Sequence, residues 1–277
     1  MTADRDEVKY LLAPTAARQL AATVSARVPR HRFQGKTHEL LPKAHQYVTT
    51  IYFDTSARDV AEACRSGDNS LKLRAKEYYD LHPSMAELAT HPSQLVDFSP
   101  VLWLETKRRR GQRTMKHRFG IPKRELAAFF ASGVVTEEMV RIQIGAFGGA
   151  AQDVLADLAE LCRPYDGPLR ADCLVNYRRR AWQDSGGTLR ITLDNNLSFF
   201  APPPDLWRRQ QAMTRETLGP PAGTLSTCVL EVKTRGTLPG WLEASLAQLH
   251  AVTARLTTPS DAPFSKFLAG SDAIHAS

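Results

Sequence analysis

The sequence predicts a mixed α+β fold, a closed antiparallel barrel of about eight strands with helices packed on its outside. Three observations lead there. Segments of strict apolar/polar alternation recur along the chain, and a period of two is the mark of a strand with one buried face. Short connections such as Gly111-Gln112 and Ser185-Gly186-Gly187 join several of them, which makes neighbours antiparallel. Between the alternating segments lie stretches with helical periodicity, enough to cover the outside of a sheet.

In chain order, a strand is expected over 5–12 and a helix over 14–27, then a strand over 46–54 and a helix over 56–65. Strands follow at 70–79, 101–110 and 112–121, separated by a Pro-rich surface excursion over 80–100. Helical spacing returns at 122–132 and 151–162, where Val154, Leu155, Leu158 and Leu161 mark one face. Strands are expected at 173–183, 187–194 and 225–234, and a last helix at 239–250. The run FFAPPPDL at 199–206 reads as loop, with a helix expected around Leu206–Leu218. No internal repeat divides the chain, so 1–277 is read as a single domain.

The polar members of the alternation are unusual. In LKLRAKEY, Lys72, Arg74 and Lys76 share one face against Leu71, Leu73 and Ala75. Glu105, Lys107 and Arg109 share a face in VLWLETKRRR, Lys116 and Arg118 in RTMKHRF, and Arg190 and Asp194 in LRITLD. A carboxylate two residues before a lysine recurs as Glu7/Lys9, Glu105/Lys107 and Glu231/Lys233. A solvated sheet face is one explanation of such a pattern. The other is a lumen. Cations crowded on one surface repel unless an anion fills the space between them, and an eight-stranded barrel leaves room for side chains and a slim ligand.

Composition narrows the partners. The formal net charge is +7 and the pI about 9.4, which favours anions. Basic residues are not interleaved with aromatics in a stacking ladder, so nucleic acid is not expected. Cys64, Cys162, Cys173 and Cys228 form no CxxC pair and are read as free thiols. His45, His82, His91, His117 and His250 show no metal-ligand spacing. Asp54, closing TTIYFDT, is read as a turn-initiating residue. No signal peptide and no membrane-spanning run is seen, so a cytoplasmic location is expected.

In order along the chain stand EVKYLL, TTIYFDT, LKLRAKEY, LWLETKRRR, MKHRF, NYRRRAW, LRITLDNNL, LEVKT and FSKFLAG. Together they resemble the VTC domain, the polyphosphate polymerase module of the triphosphate tunnel metalloenzyme (CYTH-like) superfamily, in its bacterial stand-alone form, from Arg5 to Gly270. The resemblance implies an ATP:polyphosphate phosphotransferase that uses Mn2+ or Mg2+. It implies that Lys9, Lys72, Arg74, Lys107, Lys116, Arg179, Arg190 and Lys266 bind the phosphate chain. Of these, Lys72, Arg74, Lys107, Arg179, Arg190 and Lys266 would act in catalysis together with Glu231. Glu231 would also hold the metal, and Lys266 would close the tunnel. ATP and inorganic polyphosphate or pyrophosphate would be the reactants, and a separate membrane protein would be the partner if polymer is exported.

Two departures matter. Lys72 stands where the family commonly has arginine, keeping the charge without the bidentate fork. Hydrolytic relatives carry Glu-x-Glu-x-Lys on the first strand; here it reads Arg5-Asp6-Glu7-Val8-Lys9. Loss of the first carboxylate favours transfer to phosphate over attack by water, with Glu7 left as a partner for lysine or arginine. A tripolyphosphatase or nucleoside triphosphatase, and a non-catalytic polyphosphate-binding subunit, are the alternatives.

Overall fold

A computed structural model describes residues 6–31, 46–66, 71–79, 101–110, 113–152, 154–156, 167–207, 213–252 and 264–276. Nine strands form one antiparallel sheet: β1 (Asp6–Leu12), β2 (Gln46–Asp54), β3 (Leu71–Tyr79), β4 (Val101–Arg110), β5 (Arg113–Pro122), β6 (Arg170–Gln183), β7 (Leu189–Phe200), β8 (Gly223–Leu225) and β9 (Cys228–Thr234). The ladder runs β1-β9-β7-β6-β2-β3-β4-β5, with β8 beside β7. The described residues include the α-helices α1 (Pro14–Ser25), α2 (Asp59–Ser66), α3 (Leu126–Ser132), α4 (Glu137–Phe147), α5 (Gly240–Val252) and α6 (Lys266–His275), besides helical residues at 151–152 and 154–156. None is long and apolar enough to cross a membrane.

Eight of the nine strands overlap the segments of alternation, but β7 runs past Asp194 through Phe199 and Phe200 of the expected loop because Leu197, Phe199 and Phe200 are buried there, and β8, α4 and α6 were not expected. Residues 151–152 and 154–156 are helical as expected, while the expected excursion at 80–100, residues 153 and 157–162 of the expected helix at 151–162 and residues 208–212 of the one at 206–218 lie outside the described residues. Turns occupy the described flanks of the last, at 204–207 and 215–218.

The expected closure of the barrel is not found. β1 and β5 end the ladder, and no pairing joins them among the described residues. The edge of β5 is engaged elsewhere. The buried Gln143 of α4 donates from Nε2 to the Gly120 carbonyl (2.8 Å) and accepts from the Gly120 N–H (3.3 Å). A helix thus satisfies backbone groups that a neighbouring strand would have used. Gly120 permits this approach, because a Cβ there would lie 2.8 Å from Val101 Cγ1 and 2.9 Å from Ile142 Cγ2.

The sheet is nevertheless curled. Glu7 on β1 and Lys107 on β4, near opposite ends of the ladder, meet at 3.6 Å. Most convex-face side chains are apolar and covered by helices. Leu20 and Val24 of α1 and Leu242 of α5 pack with Trp182, Ile191, Leu230 and Val232. Phe129 of α3 and Met139 of α4 pack with Phe53, Leu73, Leu104 and Phe119. Burying each such side chain contributes about 1.5–3 kcal/mol. β7 carries a bulge, with Asn196 at φ 55°. There Asn195 and Ser198 face Arg178 and Asn176, so β7 spends one residue more than β6.

α6 does not lie on the outside. Its Gly270 sits against Cys173 Sγ, Val175 and Phe199, and Phe267 is buried with its ring 5.3 Å from that of Tyr52. The helix starts at Ser265, whose Oγ accepts from the Leu268 N–H, and it fills one end of the concave face.

Candidate functional site

The concave face is built by register. Across β3, β4 and β5 one rung reads Lys72–Lys107–Lys116 and the next Arg74–Glu105–Arg118. Across β1, β9 and β7 the rungs read Glu7–Lys233–Arg190 and Lys9–Glu231–Thr192. Asp194 of β7 stands opposite Arg179 of β6. Alternation within each strand turns these side chains to the same side, and the curl brings both halves together. Each residue expected at the site and placed on a strand therefore shares this face, and Lys266 joins it from the first turn of α6.

Four carboxylates organise the cations. Glu7 contacts Lys233 at 3.1 Å, Lys9 at 3.4 Å and Lys107 at 3.6 Å. Glu231 contacts Lys233 at 2.6 Å. Glu105 holds Arg74 and Lys76, each at 2.9 Å. The fully buried Asp194 accepts both arms of Arg179, at 2.6 and 2.8 Å, and Lys266 at 2.7 Å. Tyr177 lies beneath this last pair, its ring centroid 4.9 Å from Lys266 Nζ and 5.3 Å from Arg179 Cζ. Lys72 donates to Ser265 Oγ (3.0 Å) and Lys9 to the Phe264 carbonyl (3.4 Å), so the segment leading into α6 is tied to both β1 and β3.

Electrostatics follow from this crowding. Burial raises the Glu7 carboxyl, and Glu231 raises it further, but Lys107, Lys233 and Lys9 together bring it down to about 2. Glu105 is likewise pushed up by burial and drawn down to about 2 by Lys76 and Arg74. Glu231 is lowered against its burial by Lys233 and Lys9. Burial brings Lys107 down to about 8, with Lys9 and Lys116 adding repulsion against the pull of Glu7. Burial and Arg74 bring Lys76 down to about 7, against the attraction of Glu105. Lys72 and Lys116 are lowered too, chiefly by burial. On a rung of lysines with lowered proton affinity, an anion brought close would raise that affinity again.

A divalent ion has a limited donor set here. No cluster of three His, Cys, Asp or Glu side chains suited to a metal occurs among the described residues. Glu7 and Glu231 do share Lys233 and lie on adjacent strands. One or two carboxylates completed by phosphate oxygens and water suit Mg2+ or Mn2+, which keep much of their hydration. The residues present therefore fit such an ion when phosphate accompanies it.

Some participants were not singled out from sequence. Tyr177 stands within the NYRRRAW motif, and its place under Arg179 and Lys266 needs the fold. Glu105, Lys76 and Lys233 were visible in the alternation without a role. Asp54 is buried, and its carboxylate caps α2, accepting from Thr55, Val60 and Ala61 N–H groups at 2.8, 2.8 and 3.0 Å. Cys64, Cys173 and Cys228 are free thiols, and Cys162 lies outside the described residues. So do Arg5, His45, His82, His91 and the side chains of Arg109 and His250.

The VTC domain family profile matches residues 4–275. No curated protein matches the sequence. Among solved structures, the chain is similar to a candidate adenylate cyclase of Bacillus halodurans, at 12% identity and a TM-score of 0.45, over 95% of this chain and 96% of that one. It is also similar to the PH1819 protein of Pyrococcus horikoshii OT3, at 11% identity and a TM-score of 0.34, over 91% and 89%. Both likenesses are too loose to carry an argument about the site.

Proposed function

The chain belongs to the VTC domain family, and on that premise we propose that it is a polyphosphate polymerase, transferring the γ-phosphoryl group of ATP to a growing inorganic polyphosphate chain. The observation that carries the reading is the rung Lys72–Lys107–Lys116. Three lysines on adjacent strands, about 5 Å apart, repel one another; Glu7 contacts Lys107 among them, and a polyanion laid along the rung would offset all three. With the opposite half of the curled sheet they make a trough, and the proposed function takes it as a tunnel for phosphates.

Phosphoryl transfer asks the protein for alignment and charge neutralisation more than for a nucleophile. Lys72, Arg74, Lys107 and Lys116 would hold the triphosphate from one wall, and Lys9 and Arg190 from the other. Arg179 and Lys266, fixed by Asp194 and seated on Tyr177, would meet the phosphoryl group where negative charge develops. A terminal oxygen of phosphate, pyrophosphate or polyphosphate attacks Pγ, the bond from Pγ to the β–γ bridging oxygen breaks, and ADP leaves. Glu231 and Glu7 would hold a divalent ion, which supplies Lewis-acid neutralisation of phosphate oxygens. Hydrolysis to orthophosphate is the second reading, favoured by the survival of Glu7 beside Glu231.

The test is incubation of the protein with ATP and manganese. Long acid-insoluble chains are expected, and Glu231→Gln and Lys107→Ala should each cut their rate about 100-fold. Orthophosphate without chains would favour hydrolysis. Undiminished polymer in both variants would refute the site.

A further inference from the structure

A second basic cluster lies on the other side of the sheet. Arg178 and Arg180 flank Arg179 on β6 and so point away from the trough, to the convex face. Trp182, two residues on, is buried under α1 with its Nε1 donating to Ser25 Oγ (3.0 Å), which fixes that face as the helix-covered one. The chain after α1 runs beside β6: Gln183 N–H donates to the Pro29 carbonyl, His31 N–H to the Ala181 carbonyl, and Arg30 stands opposite Trp182. Arg30 therefore joins Arg178 and Arg180 on the convex face.

These arginines have no carboxylate partner among the described residues. Arg180 lies over the Trp182 ring at 5.8 Å, and its proton affinity is lowered by burial and then by Arg178 and Arg30. Among the described residues, the buried Nε groups of Arg178 and Arg180 have no hydrogen-bond partner, and Asn195, opposite Arg178 on β7, leaves its side-chain carbonyl unpaired. The contrast with Arg179 on the same strand is direct: that guanidinium holds both oxygens of Asp194 through Nε and Nη2, whereas its two neighbours repel one another with no carboxylate between them among the described residues. Alternate residues of a strand stand about 7 Å apart, a span that two successive phosphoryl groups can bridge. Guanidinium groups suit such oxyanions because each presents a planar fork of donors.

We infer that Arg30, Arg178 and Arg180 form an external oxyanion site that takes a chain of linked phosphoryl groups, separate from the trough and on the opposite face of the sheet. The site does not depend on turnover. Its ligand is a condensed phosphate, either an inorganic chain or the phosphate tail of a nucleotide.

The test is calorimetric titration of the full chain with tripolyphosphate in the absence of metal. The external site is the one that disappears in the R178Q/R180Q double variant and survives in Lys107→Ala. R30E, at an exposed position, should weaken the same site on the order of tenfold and guards against a double variant that does not fold. Titration with ATP names the source: tighter tripolyphosphate binding assigns an inorganic chain, and tighter ATP binding a nucleotide. No lost site in R178Q/R180Q together with unchanged binding in R30E overturns the inference, as does displacement of tripolyphosphate by an equal concentration of sulfate. A protein that fails to make polymer would still show this site, so the two proposals fail separately.

Discussion

Asp194 shows how one residue decides the state of its neighbours. It is fully buried and accepts from Arg179 and Lys266, both of which it holds charged against their own burial. Burial would otherwise raise the Asp194 carboxyl, but the two cations lower it. Removing its charge leaves two buried cations uncompensated, and breaking such an arrangement costs about 3–5 kcal/mol. Asp194→Asn is therefore expected to lose that much in denaturant unfolding. A loss below about 1 kcal/mol would mean that Arg179 and Lys266 reach another counter-charge. The sequence placed Asp194 opposite its apolar neighbours in LRITLD but offered no partner, because Arg179 lies on a different strand and Lys266 on a helix far along the chain.

At the scale of elements, the strands were legible and two helices were not. Alternation is legible in LKLRAKEY and VLWLETKRRR because Leu71, Leu73 and Ala75 share one face and Leu102 and Leu104 another, before Glu77 and Thr106 break the apolar run. It fails after Asp194, where the bulge at Asn196 shifts the register and β7 continues to Phe200. Helix α4 exposes Ile144 at 55%, which blurs its apolar stripe, and α6 is diluted by Gly270, Ser271 and Asp272. Closure could not be judged from sequence either, since the Gln143 contact on the edge of β5 has no signature in a pattern of period two. α6 also has little room to change at its packing face. A Cβ on Gly270 would stand 2.9 Å from Cys173 Sγ and 3.1 Å from Val175 Cγ2. Gly270→Val should lift α6 from the concave face and take Lys266 from Asp194. Polymer synthesis is then expected to fall at least tenfold while far-ultraviolet circular dichroism keeps its sheet signal. Full activity in Gly270→Val would show that α6 need not dock.

At the scale of the molecule, an anion bound in the trough would bring protons with it. Lys76 at about 7 and Lys107 at about 8 lie well below the ordinary lysine value of 10.5. A bound phosphate chain favours their charged forms, so binding at pH 8 should take up protons and weaken as pH rises from about 7. The unliganded fold has the opposite dependence. Between about pH 7 and 10.5 the unfolded chain binds more protons at these two lysines, so their contribution makes stability rise with pH. Calorimetry of tripolyphosphate binding at pH 8 in buffers of different ionisation enthalpy measures the uptake. Zero uptake would mean that the lysines are already charged without ligand.

The ladder order carries a further consequence, for the life of the nascent chain. Among the described strands, β1 pairs only with β9, so the first strand made waits for the last before it has a partner. The rungs Glu7–Lys233 and Lys9–Glu231 form only then, and α6 is synthesised later still. Contacts this distant in sequence make folding slow and leave strand edges exposed in the meantime. Ribosomes stalled before β9 would therefore carry chains whose amino-terminal strand is still open to protease, and protection of that strand would report the moment at which the two ends of the polypeptide meet.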